Sequence, residues 1–322
     1  MTNNSLVEVA ALLKKSRSVA VACHVRPDGD ALGSAFALVI ALKNAGKNAY
    51  MLCEDTPPER LCIFSTMSGS YTALPVPVTE IDLFVAVDCS DPERMGEVGA
   101  SFKAFRGKTL NIDHHISNPR FARYNYVLPD STATCEIMPE ILDAAGFEIT
   151  KDIADLLALG LLTDSGNFSH QDVSAKTFTV AAKLKERGAD ICETGYQMFT
   201  RQSKGRAILY GRVLKGMRFA LDDRLVFLTV TQKDFEETGT DKSQTEGFVD
   251  FPLSIDGVEV SVSLMEVKKN QYKVSLRSRG VNVNAVAQTF GGGGHLLASG
   301  CMLFGEYEEV IERLTQAVYR EI

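Results

Sequence analysis

Histidine and aspartate cluster at three places in the first half of the chain, each time just after a short apolar run. His24-Val25-Arg26-Pro27-Asp28-Gly29-Asp30 follows residues 18–23, Asp88 follows Leu83–Val87, and Asp113-His114-His115 follows residues 108–112. Thr163-Asp164-Ser165-Gly166 supplies a further acid. Neighbouring carboxylates repel unless one takes a proton or a cation sits between them. Asp28, Asp30, Asp88 and Asp164 with His24 and His114 are more donors than one ion of ordinary coordination needs. They suit two divalent cations that share a carboxylate. Mixed oxygen and imidazole donors without thiolate fit Mn²⁺ best and tolerate Fe²⁺, Co²⁺ or Zn²⁺, whereas Mg²⁺ prefers oxygen alone. Two such ions roughly 3.5 to 4 Å apart hold a hydroxide, orient it at phosphorus and offset charge on the phosphoryl and leaving oxygens. That chemistry is phosphoester hydrolysis.

Taken singly, each feature has an ordinary explanation. Asp-Gly-Asp is commonly a turn, and a lone acid at a strand end is commonly a cap or half of a surface ion pair. Independent turn residues, however, have no reason to recur as histidine-containing clusters at three strand ends. Cys23 and Cys89 adjoin two of the candidate ligands but read as small buried residues. His170 reads as a loop residue rather than a phosphate contact.

The elements that must position these groups follow from the periodicity. To about Gly188, short β-rich runs alternate with helical patterns, the signature of an α/β domain with a mainly parallel sheet flanked by helices. In such sheets ligands bind outside the carboxyl ends of the strands, where all three runs deliver their acids. A helix is expected from Ala31 to its stop at Gly46, and two more over residues 132–145 and 151–162, the last placing Asp164 at a strand or helix end. The pattern then changes to strands over 216–230, 258–267 and 272–276, with turns at Asp222-Asp223 and Lys269-Asn270 and helices around the glycine run at 291–294. The expected organisation is a first domain over 1–190, a linker or helical connection over 191–206, and a smaller α+β domain over 207–322.

Composition narrows the function. With 45% hydrophobic and 23% charged residues in 322, the chain is a folded protein of about two domains rather than a disordered one. Its net charge of −7 gives no global field for a long nucleic acid. Its seven cysteines contain no C-x-x-C pair, and its longest uncharged apolar stretch, 31–42, falls short of the roughly 20 residues that span a bilayer. A cytoplasmic protein without membrane contact is expected. In the second domain, Gly291-Gly292-Gly293-Gly294-His295 would let backbone amides approach an anion, with His295 as a directed donor. Lys273, Ser275, Arg277 and Arg279 alternate with Val274 and Leu276, so they share one strand face. This face reads either as charge protecting an edge strand or as a phosphate clamp, with Arg277 before Arg279 for a bidentate contact.

The four ordered clusters resemble the motifs of the DHH phosphoesterase superfamily, and the GGGGH run resembles the signature of the associated DHHA1 domain. The size and the C-terminal motif are most similar to the nanoRNase and 3′-phosphoadenosine-5′-phosphate (pAp) phosphatase group, often called exopolyphosphatase-related. The resemblance implies that His24, Asp28 and Asp88 bind one metal. Asp30, Asp88, His114 and Asp164 would bind the other, with Asp88 as the bridge. Asp88, His115 and Asp113 would form the catalytic set, His115 facing the scissile phosphate and Asp113 orienting the histidine pair. His115, Arg277, Arg279, Gly292, Gly293, Gly294 and His295 would contact substrate. Ser165 replaces the usual second threonine of Thr-Asp-Thr-Gly, and Ala298-Ser299-Gly300 replaces Ala-Ala-Gly, with no ligand lost.

The implied protein is a homodimeric, Mn²⁺-dependent hydrolase of short single-stranded RNA and of pAp, without duplex partners. Competing readings are hydrolysis of polyphosphate or pyrophosphate, dinucleotide second-messenger turnover, and a nucleotide-binding regulator without catalysis.

Overall fold

The computed structural model describes residues 2–61, 63, 71–72 and 80–322, which divide into compact units of residues 1–201 and 202–322. In the first unit the order is α1 (Leu6–Lys15), β1 (Ser18–Ala22), α2 (Gly29–Asn44), β2 (Asn48–Leu52), β3 (Tyr71–Thr72), β4 (Leu83–Val87), α3 (Glu97–Ala104), β5 (Lys108–Asp113), β6 (Tyr124–Val127), α4 (Thr134–Ala145), α5 (Lys151–Asp164), α6 (Ala175–Glu186) and α7 (Ile191–Gly195). The strands form one sheet in the order β3-β2-β1-β4-β5-β6, every described pair parallel. β1 and β4 are buried along their whole length, which is why their sequences are continuous apolar runs rather than alternating ones.

Both faces of the sheet are covered. One carries α1, α2, α4 and α5 over a core that includes Phe36, Leu38, Val85 and Ile112; the other buries Phe84, Met95 and Phe102 beneath α3. The tightest crossing joins α2 to α5. A Cβ on Gly33 would collide with the Leu156 carbonyl, and one on Gly160 would lie 2.7 Å from Asp30 Oδ1. Only glycine lets these two helices approach so closely.

The outer edge of β6 is closed by the chain's own first residues. Asn4 donates its amide to the Asn125 carbonyl (2.7 Å) and accepts from the Asn125 amide through Oδ1 (2.9 Å). Asn3 does the same with side-chain atoms alone, accepting from the Val127 amide (2.9 Å) and donating to its carbonyl (2.7 Å). The exposed ladder of an edge strand, a template for unwanted pairing, is thereby occupied.

The second unit contains α8 (Lys204–Lys215), β7 (Arg218–Ala220), β8 (Leu225–Val230), α9 (Gln232–Thr238), β9 (Val260–Lys268), β10 (Gln271–Ser278), α10 (Val283–Gln288), β11 (Gly293–His295), β12 (Ala298–Phe304) and α11 (Tyr307–Tyr319). Its sheet runs β11-β12-β10-β9-β8-β7 and is antiparallel except for β8 with β9. Leu264, Val274, Leu276 and Leu303 pack on one face with Val310, Ile311 and Leu314 of α11. On the other face Leu228 and Val230 meet Leu209, Val213 and Phe235 of α8 and α9. The turns expected at Asp222-Asp223 and at Asn270 are present, all three residues in the left-handed region.

Candidate metal centre

The carboxyl ends of β1, β4 and β5 bring the three clusters to one edge of the first unit's sheet. Asp28 caps α2, accepting from the Asp30 and Ala31 amides (3.1 and 3.0 Å). This fixes the first turn that carries Asp30. Asp30 is wholly buried and accepts from the amides of Thr134 (2.6 Å) and Cys135 (2.8 Å). Since Ala133 offers α4 no side-chain cap, Asp30 satisfies the helix's orphan donors from another element. Asp88 follows β4 with φ 50°, a left-handed turn that aspartate tolerates better than most residues. Asp164 is the last residue of α5, so of the two positions left open by the sequence it occupies the helix end.

Among the described residues, three groups have donor atoms mutually within 4.8 Å: His24, Asp28 and Asp88; Asp30, His114 and Asp164; and Asp88, His114 and His115. Asp88 belongs to two of them and stands 3.6 Å from both His24 Nε2 and His114 Nε2. His114 Nε2 is also 3.2 Å from Asp164, and His24 Nε2 is 3.5 Å from Asp28. The tautomers suit ligation. His24 Nδ1–H donates to the Val25 carbonyl (2.9 Å) and His114 Nδ1–H to the Ser131 carbonyl (3.1 Å), which turns both Nε2 atoms toward the carboxylates. The donor set therefore fits one or two divalent cations bound by oxygen and imidazole.

The electrostatics express the same crowding. Burial alone would depress His24, but Asp28 and Asp88 outweigh it and push the ring up to about 10. His114 reaches about 10 against burial through Asp164, Asp30 and Asp88. Burial, reinforced by Asp88, lifts Asp30 to about 7, and burial with Asp30 lifts Asp164 to about 6. Burial also raises Asp88. Protons and cations thus compete for one cluster.

His115 is bound differently. Its Nδ1–H donates to Asp113 Oδ1 at 2.7 Å, which leaves Nε2 as the other polar end of a half-buried ring. Asp113 is buried, yet the bonds from His115 and from Asn118 Nδ2 (2.5 Å) hold its carboxyl below the ordinary range. Asn118 is a supporting residue that the sequence reading missed, along with Thr134, whose hydroxyl donates to Asp88 (3.2 Å). Asn118 lies in an Asn-Pro turn, and nothing in that dipeptide tells a structural amide from a functional one. Cys23 and Cys89 are buried free thiols, as expected. His170 is exposed and donates from Nδ1 to the Asp164 carbonyl (2.7 Å), bracing the turn after that acid.

In the second unit, cross-strand register sets His295 opposite Ala298, and Ala298 opposite Arg277. Two expectations need correction. The glycine run does not leave all its amides free for an anion: those of Gly291 and Gly292 donate to Gln288 and Ala287 at the end of α10, and Gly293 and Gly294 already belong to β11. Of the four amides, the first two are engaged within the fold. Arg279 lies beyond the end of β10 and does not share the strand face of Lys273, Ser275 and Arg277. β10 is moreover an interior strand, so edge protection cannot account for its basic row. Arg277 Nε is 3.3 Å from Asp250 Oδ1, a partner the sequence did not reveal.

A parallel sheet with this aspartate and histidine cluster at its strand ends, followed by a mixed-sheet unit with a GGGGH run leading into β11, defines a class. The family model for the DHH family, N-terminal domain, matches residues 18–161, and that for the DHHA1 domain matches residues 222–322. The chain belongs to the DHH family and carries a DHHA1 domain. It is 35% identical to the bifunctional oligoribonuclease and PAP phosphatase NrnA of Thermus thermophilus, over 98% of this chain and 93% of that one. It is 26% identical to the protein of the same name from Mycoplasma genitalium, over 94% of each. Among solved structures, an exopolyphosphatase-related protein from Bacteroides fragilis matches with TM-score 0.82 and 27% identity, covering 98% of this chain and 96% of that one. No helix among the described residues is long and apolar enough to cross a membrane.

Proposed function

We propose that the chain is a phosphoesterase that hydrolyses short oligoribonucleotides to nucleoside 5′-monophosphates and dephosphorylates pAp, with two Mn²⁺ ions as cofactor. The observation that carries this reading is the pair of donor groups, His24-Asp28-Asp88 and Asp30-His114-Asp164, linked through Asp88. The names of the NrnA relatives support the substrate class. His24, Asp28 and Asp88 would hold one ion, and Asp30, His114 and Asp164 the other, with Asp88 available to both. Bound ions of this kind supply Lewis acidity toward the phosphoryl oxygens and an activated water.

The protein's own groups do the rest. The Val25 and Ser131 carbonyls keep the ligating rings in one tautomer, and the amides of Thr134 and Cys135 fix Asp30. Asp113 holds His115 with Nε2 turned out, so that in its protonated form the ring donates to a non-bridging phosphate oxygen. In the DHHA1 unit Arg277, His295 and the outer glycines Gly293 and Gly294 grip a substrate phosphate, with Asp250 restraining the guanidinium until substrate arrives. Arg279 and Gly292 play at most a supporting part in this grip. The same reading includes a cytoplasmic homodimer, which sedimentation of the purified protein would test.

The decisive experiment offers metal-stripped protein, reconstituted with Mn²⁺, a labelled RNA dinucleotide, pAp and tripolyphosphate side by side. Release of 5′-monophosphate from the first two with tripolyphosphate inert is the expected result, and Asp88→Asn should abolish it. A preference for tripolyphosphate would keep the metal centre and discard the nucleotide grip, while full activity in Asp88→Asn would refute the shared ligand.

A further inference from the structure

The amino end of β5, opposite the end that delivers the metal ligands, borders a cavity of about 270 Å³ that the hydrolytic chemistry does not use. Phe102, Phe105 and Phe121 wall it, and the exposed Lys103, Arg106 and Arg123 stand at its mouth. The wall is built, not incidental. Phe84 packs edge to face on Phe102 (5.1 Å) and Phe105 (5.8 Å), and Phe102 on Phe121 (5.6 Å). Phe105 and Phe121 remain half-buried, so part of each ring is free to meet a ligand.

The polar groups all ask for an anion. No carboxylate lines the cavity among the described residues. Lys103 is shared with Glu93 (3.0 Å), but Arg106 and Arg123 meet no acid within 4.0 Å among the described residues. Arg187, Arg212, Arg218, Arg224 and Arg313 by contrast each face one. Thr109 is only 6% exposed, and its hydroxyl accepts the Arg123 amide (3.0 Å) while no described acceptor takes its own proton. A buried donor left unspent beside two free guanidiniums is the complement of a phosphate, which guanidinium binds bidentately. The volume stands just below the roughly 300 to 1,000 Å³ of common ligand pockets, so the ligand is small.

We infer that this cavity is a second ligand site, which takes a small phosphomonoester bearing a flat ring, the class to which nucleoside 5′-monophosphates belong. Arg106 and Arg123 hold the phosphate, Thr109 donates to it, and the ring lies against Phe105 and Phe121. Thr109 precedes Asp113 by four residues on the same face of β5, about 13 Å of strand, so the site is separate from the metal centre. It does not depend on the hydrolytic reading.

The test measures labelled adenosine 5′-monophosphate on the full-length Mn²⁺-loaded protein by equilibrium dialysis, beside Arg106→Glu/Arg123→Glu and the conservative Arg106→Lys/Arg123→Lys. Nucleotide held at the metal centre is common to all three and cancels. The unsubstituted protein should bind one more equivalent per chain than the glutamate variant, whose affinity at this site should fall about a hundredfold, the scale of losing two charge-assisted contacts. The lysine variant should keep the equivalent about tenfold more weakly. Both arginines are exposed, so thermal unfolding midpoints should match, and kcat and KM for an RNA dinucleotide should stay within twofold. Equal stoichiometry in all three proteins overturns the site. Inorganic phosphate competing as well as the nucleotide overturns the ring contact, and adenosine competing as well overturns the phosphate contact. Loss of dinucleotide turnover in a glutamate variant that melts normally puts the arginines on the substrate's path and overturns a separate site. If the unsubstituted protein turns over no RNA yet the variant still loses the equivalent, the phosphoesterase reading falls and the site stands.

Discussion

Two imidazoles held near pKa 10 and two carboxylates lifted to about 6 and 7 make the centre a store of protons at neutral pH. A divalent cation must displace those protons, so its affinity rises with pH across the neutral range, and binding releases protons to the buffer. Calorimetric titration of the metal-stripped protein in two buffers of different ionisation enthalpy should give heats that differ by at least one proton's worth, and equal heats would contradict the cluster described. His115 answers to a different control. Asp113→Asn keeps the volume but weakens the hold on Nδ1–H, and hydrolysis should fall about 10- to 100-fold. The pH profile should shift toward acid, because the ring's pKa is raised chiefly by Asp113 and falls without it. An unshifted profile with the same loss would mean that Asp113 serves only packing.

The elements carry these side chains with little slack where α2 crosses α5. Gly160→Ala would set a methyl 2.7 Å from Asp30 Oδ1 and against Cys135 Sγ. Unfolding free energy should drop by about 1 to 3 kcal/mol with an unchanged denaturant slope, and metal affinity should drop with it. Normal metal affinity in a destabilised variant would separate the crossing from the site. The sequence made the ligands other than Asp164 legible because they follow β-rich runs, yet it read Gly29 only as part of a turn. Its real neighbour is Thr163 of α5, where a Cβ would meet the side chain. Likewise the GGGGH run announced a close backbone approach, but not that two of its amides cap α10. Strand order was the larger gap. That β10 is interior, and Arg277 faces Asp250, depends on pairings between segments far apart, which local periodicity does not encode.

At the scale of the whole molecule, the proposed grip on RNA at a few points of a chain of net charge −7 implies binding with a shallow salt dependence. For single strands each neutralised phosphate contributes a slope of about −0.7, so two or three contacts give log affinity against log salt a slope between about −1 and −2. KM for a trinucleotide measured across a KCl series reads this directly, and a slope steeper than about −4 would reveal a basic surface that the composition does not suggest. The asparagine pair on β6 matters in another way. Asn3 and Asn4 lie more than 120 residues before the backbone they seal, so a segment synthesised well ahead of β6 closes the sheet only after β6 exists. Closing so long a loop costs entropy that a handful of hydrogen bonds must offset. Removal of residues 2–4 should leave hydrolysis intact while light scattering during refolding from denaturant increases; unchanged scattering would mean that another element guards the edge. Until those two asparagines dock, each nascent molecule presents an open strand to its neighbours, and the crowding of chains on a polysome becomes the setting in which this small seal has most effect.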